Sequence, residues 1–168
     1  MIRIAAVALF LPAGSAALAQ TDPDTSVPVT AENFVRAETD LYFGHTVAEA
    51  EGIGRFFHHR TPMEIDRQTV IRAKRDTLYS TAVVDLDAGP VTIVLPEAEG
   101  RFRSMIVITG DHCVIDTRYD AGSYTYDRDQ VGTRYAMIGV RTFVDPEGPA
   151  DVEAVHRLQG RRGSAGGG

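Results

Sequence analysis

The hydrophobic pattern of this chain changes period near Leu78, and that change constrains the fold more than any other feature. Downstream of it, apolar and polar residues alternate. Leu78, Ala82, Val84 and Leu86 share one strand face, while Tyr79, Thr81, Asp85 and Asp87 share the other. Further strands are expected over Val91–Leu95, Phe102–Thr109, Cys113–Tyr119, Ser123–Tyr126 and Arg134–Val144. They are joined by short connections rich in turn residues, such as Asp87-Ala88-Gly89-Pro90 and Asp120-Ala121-Gly122. Strands joined by loops this short pair antiparallel. In the last of them Ala136, Ile138 and Val140 line one face and Tyr135, Met137 and Phe143 the other, as in a central strand covered on both sides. The fold class is therefore α+β, with an antiparallel β-sandwich-like core.

Helices flank this core. Thr30 is placed to cap a helix that starts at Ala31, with Phe34, Ala37, Leu41 and His45 near one face. Gly44 weakens it, and Thr46-Val47-Ala48-Glu49 has the capping-box pattern that would restart it. Gly52 and Gly54 end this region, and Phe56-Phe57-His58-His59 reads as a short apolar turn before Pro62. At the other end, Pro149 suits a first helical turn, and Val152, Val155 and Leu158 form a stripe that stops at Gly160. The chain divides into a signal peptide over 1–19, an extended leader over 20–29, one globular domain over 30–159 and a glycine-rich disordered tail over 160–168.

The first part of that division sets the compartment. Arg3 precedes the apolar run Ile4–Leu11, and Ala17-Leu18-Ala19 supplies small residues for cleavage after Ala19. A spanning helix needs about 20 apolar residues, and Pro12, Gly14 and Ser15 interrupt this run too early. Export to the periplasm is the expectation, with no membrane span left after cleavage. A formal net charge of −6 argues against nucleic acid as a partner. The single cysteine excludes an internal disulfide and any cysteine-based zinc framework.

Few residues carry a chemical signature. Adjacent His58 and His59 point apart in any regular structure, and no H-x-x-x-H or H-x-H spacing accompanies them, so they are weak metal candidates, as is His112. Arg75 and Asp76 precede the first long strand, where a guanidinium fork and a carboxylate could hold or move a proton on a ligand. The structural alternative is an ion pair that pins the start of the strand. Tyr79 follows on the strand itself. Asp111 and His112 sit at the next strand end, beside Cys113, which reads as a small buried strand residue. There is no G-x-S-x-G, and Gly52-Ile53-Gly54-Arg55 falls short of a dinucleotide-binding loop.

Several separated segments together resemble the bacterial domain-of-unknown-function family 1254. They are Glu32–Asp40, Arg75-Asp76-Thr77-Leu78-Tyr79-Ser80, Val83–Ile93, Gly132-Thr133-Arg134-Tyr135 and Val140-Arg141-Thr142 running on to Asp145-Pro146. The resemblance spans about Thr30 to Gln159. It departs from the family pattern at Ala73-Lys74, where Met-Asn is expected, and at Cys113, where an aromatic residue is expected. The resemblance implies an exported protein and, as a partner, a second β-rich domain similar to family 1214, where this chain has its glycine-rich tail. Two functions follow as expectations. The first is a non-catalytic periplasmic module that binds a small ligand or a separate β-rich domain. The alternative is a metal-assisted or acid–base enzyme using Asp76, Arg75, Asp111 and His112.

Overall fold

The computed structural model describes residues 26–66 and 74–160. The expected signal peptide and the expected tail beyond Gly160 lie outside the described residues, as does most of the expected leader. The order of elements is α1 (Phe34–Glu49), β1 (Phe57–His58), β2 (Thr77–Asp85), β3 (Val91–Leu95), β4 (Arg103–Thr109), β5 (Val114–Arg118), β6 (Gly122–Tyr126), α2 (Arg128–Val131), β7 (Tyr135–Phe143) and α3 (Pro149–Gly160). The protein is α+β, with helices at both ends of an antiparallel core, as the alternation predicts. Five strands form one sheet in the order β1-β2-β7-β4-β5, and β3 pairs with β6 in a second, two-stranded sheet. Strand β7, nine residues long like β2, is central.

The two faces of the large sheet are covered differently. Val84, Met105, Val107, Ala136, Ile138 and Val140 point to the face backed by the small sheet, where they pack with Val91, Ile93, Leu95 and Tyr126. Burying each of the larger side chains contributes about 1.5–3 kcal/mol. At the end of this face Leu78 and Val144 meet Val155 and Val152 of α3. The helix is anchored there through Arg101, whose guanidinium makes two bonds to Asp151, 2.8 Å and 2.5 Å long. Asp151 also accepts from the backbone N–H of Asp145 at 2.7 Å. The Arg101 guanidinium holds the Asp151 carboxyl down at about 2. At the far end of α3, Gln159 donates to the carbonyls of His59 and Tyr79 at 3.1 and 3.2 Å.

The opposite face carries α1 over part of its area: Thr46 Oγ1 donates to the Met137 sulfur at 3.7 Å, and the Gly54 N–H to the Val83 carbonyl at 2.7 Å. Here the sequence reading needs correcting. The buried stripe of α1 is Thr39, Phe43 and Thr46, not Phe34, Ala37, Leu41 and His45. Phe34 and Leu41 are 54% and 51% exposed. Two threonines replace apolar residues in the contact because their hydroxyls find partners, Thr39 donating to the Val35 carbonyl at 2.8 Å. Nor does the helix restart at Thr46. It runs unbroken through Gly44, whose position is exposed, and starts after Asn33 rather than at Ala31 with Thr30 as its cap. Glu51, with φ 56°, and Gly52, with φ 147°, then turn the chain out of the helix.

Two small elements escape the pattern. Phe57 and His58 pair with Thr81 and Ser80, making an edge strand of the apparent turn. Asp127 and Gln130 form a reciprocal capping box around α2, which Gly132 closes at φ 80°.

Candidate functional site

Register builds a cleft on the half of the open face that α1 leaves uncovered. Tyr79, Arg141 and Ser104 lie side by side across β2, β7 and β4. In the neighbouring row Gly139 lies between Thr81 and Ile106, and Ile106 pairs in turn with Thr117 of β5. Glycine weakens the interior of a strand, yet here it occupies the centre of the central one, so the floor of the cleft has no side chain at its middle. A Cβ on Gly139 would come within 3.3 Å of Ile106 Cγ1. The resulting hollow is about 210 Å³, lined by Tyr79, Ser104, Ile106, Thr117, Tyr119 and Arg141 among others. That is below the roughly 300–1,000 Å³ of sites for drug-sized ligands.

The wall of this cleft combines charge with aromatic surface. Arg141 Nε donates to Ser104 Oγ at 2.9 Å, and its guanidinium carbon lies 5.5 Å from the centre of the Phe102 ring. Phe102 in turn lies 6.1 Å from Tyr119. The serine and the ring fix the plane of the fork, and no described residue bonds its two terminal amino groups. A guanidinium held in this way is set to receive a planar acceptor such as a carboxylate.

The sequence-derived candidates separate into three places. Tyr79 lines the cleft. Arg75 and Asp76 precede it at the same end of β2 but do not line it, and among the described residues neither makes the expected ion pair. Arg75 Nε donates to the Met63 carbonyl at 3.2 Å, while exposed Asp76 contributes its backbone carbonyl, which accepts from the Val144 N–H at 2.9 Å. An exposed carboxylate gains little from a nearby arginine, so the strand start is held by main chain instead.

Asp111 and His112 lie in the β4–β5 turn, at the opposite end of the sheet from Arg75 and Asp76. Asp111 pairs with Arg36 of α1. His112 has φ 62°, and its Nδ1 lies 3.1 Å from Thr39 Oγ1. Because that hydroxyl already donates its proton to Val35, His112 Nδ1–H is the donor. The pair therefore fastens α1 to the turn. Cys113, expected to be buried in a strand, is exposed in this turn. His58 Nδ1 lies 2.8 Å from Ser80 Oγ, and the His59 ring meets the Phe57 ring edge-on at 4.7 Å. Among the described residues no three His, Cys, Asp or Glu side chains gather as a metal site.

Sequence reasoning missed Arg141, Ser104, Tyr119 and Gly139. The usable signal was Gly139 inside an otherwise bulky strand, which marks close approach or a hollow.

The fold and cleft define a class: an α+β module whose large sheet is packed against a second sheet on one face and carries a small hollow on the other. Residues 53–126 match the family model described as "Protein of unknown function (DUF1254)", so the resemblance to that family holds across the β-rich middle of the chain. This is a narrower stretch than Thr30 to Gln159. No curated protein matches the chain. A crystal structure of the VPA0106 protein from Vibrio parahaemolyticus shares the fold, with a TM-score of 0.58 and 15% identity over 77% of this chain. This chain spans only 34% of that protein's length.

Proposed function

We propose that this protein is an exported, non-catalytic binding module, and that the cleft over Gly139 takes a small ligand joining a carboxylate to a flat apolar body. The observation that carries this reading is Arg141, fixed by Ser104 and Phe102 with the end of its fork unpaired, above a floor that lacks a side chain. The carboxylate meets the fork, and the apolar body lies over Gly139 between Ile106 and Tyr119. Export rests on the signal peptide expected over residues 1–19, with cleavage after Ala19, and a protein whose intact mass still includes residues 1–19 would refute it. A second β-rich domain remains a proposed partner, in keeping with the greater length of the structurally similar protein. Nothing similar favours the acid–base enzyme, because its four residues lie at opposite ends of the sheet and each pair makes structural contacts.

Benzoate serves as the probe. Titrated into labelled protein, it is expected to shift the backbone amides of Gly139, Ser104 and Tyr119 saturably, and Gly139→Leu is expected to abolish those shifts. Shifts that do not saturate, or that survive in Gly139→Leu, would refute the assignment of the cleft.

A further inference from the structure

Arg103 opens β4 on the closed face, in line with Met105 and Val107, and is only 2% exposed. Its Nε and both terminal nitrogens are buried with no hydrogen-bond partner among the described residues. A guanidinium cannot lose its proton to escape such a site, and buried charges are ordinarily paired. The neighbouring arginines are already matched, Arg101 with Asp151 and Arg118 with Asp116. Burial is the larger influence on Arg103, pulling its pKa down, and the nearby Glu97 carboxylate opposes it, but neither Glu97 nor Tyr124 bonds to the guanidinium. The Tyr124 hydroxyl donates instead to the Asp120 carbonyl at 3.1 Å. The segment leading into Arg103 is largely open to solvent at Glu97, Glu99, Gly100 and Phe102, so this buried charge lies at the end of the core, next to an exposed loop.

We propose that Arg103 is the receptor for a small monocarboxylate, held by the guanidinium fork between β4 and Tyr124 of β6. One unmatched positive charge calls for one negative charge. A dianion such as phosphate would leave its second charge buried and unpaired. The site faces away from the cleft over Gly139, and it stands whether or not that cleft binds a ligand.

The test is thermal unfolding in sodium formate against sodium chloride and sodium phosphate at equal ionic strength, for the unaltered protein, Arg103→Met, Arg103→Gln and Glu97→Gln. Formate is expected to raise the Tm of the unaltered protein by at least about 2 °C over chloride. The Arg103 variants are expected to lose that response, and Glu97→Gln to keep it. In chloride, Arg103→Met is expected to melt no lower than the unaltered protein, because it removes an unpaired buried charge and keeps the apolar bulk. The proposal is overturned if formate and chloride act alike on the unaltered protein, or if the Arg103 variants keep the formate response. A larger rise in phosphate than in formate overturns the carboxylate assignment. Should Arg103→Met not fold, Arg103→Gln and the unaltered protein still decide the matter.

Discussion

The two faces of the five-stranded sheet use the same strands in different ways. On the closed face Val84, Met105, Val107, Ala136, Ile138 and Val140 are apolar and almost fully buried, and a second sheet supplies matching side chains. On the open face the same strands present Tyr79, Ser104, Gly139 and Arg141, and only part of the surface is covered, by a helix that docks largely through threonines. Alternation along a strand lets one segment serve both purposes, since neighbouring residues answer to different environments. The comparison teaches that most of the apolar packing resides on one face and an open hollow on the other.

Substitutions can break that contrast. The largest effect is expected on the closed face, where Met105→Ala or Ile93→Ala should cost about 2–5 kcal/mol in chemical denaturation. On the open face, Ile106→Ala should cost clearly less, since Ile106 is only partly buried. Equal costs would erase the distinction between the faces.

The anchor of α3 comes next. The Asp151 carboxyl sits at about 2 in the folded protein, below its ordinary value of 3.8. A lowered carboxylate stabilises above its unfolded pKa and loses that contribution as pH falls through the folded one. Allowing for partial exposure, Asp151→Asn should cost about 1–2 kcal/mol at pH 7 and almost nothing near pH 2. A cost unchanged between the two pH values would mean that Arg101 and Asp151 act through packing alone.

The smallest effect is expected at Asp76. Its carboxylate is exposed and its structural contact is made by the backbone, so Asp76→Ala should change stability by less than about 0.5 kcal/mol. A loss of 1 kcal/mol or more in urea unfolding would restore the ion-pair reading of the strand start.

Much of the fold was legible because the closed face forces alternation. The extents of β2, β4 and β7, and the Val155–Leu158 stripe of α3, all follow from apolar residues that must be buried together. The face of α1 was not legible, since Thr39 and Thr46 dock through hydroxyl partners contributed by distant residues, which hydropathy does not register. The same limit hid the cleft. Arg141, Ser104 and Phe102 are brought together by register between β4 and β7, and only Tyr79 stood out on its own strand. Conversely, Asp111 and His112 looked chemical in sequence because polar residues at strand ends often are, yet they serve to fasten a helix.

The contacts of α3 bear on timing. Its Gln159 and His156 reach back to His59, Tyr79 and Arg60 across separations of 80 to 100 residues, and Val155 closes the end of the core against Leu78. A chain emerging from its N-terminus cannot complete this end of the structure until the last described helix has been made, and long-range closure of this kind is slow. Late closure of this end would suit the export proposed above, because a chain that has not closed can still be threaded through a narrow pore. Chains truncated after Gly148 should accordingly remain sensitive to protease, whereas chains ending at Gly160 should resist it.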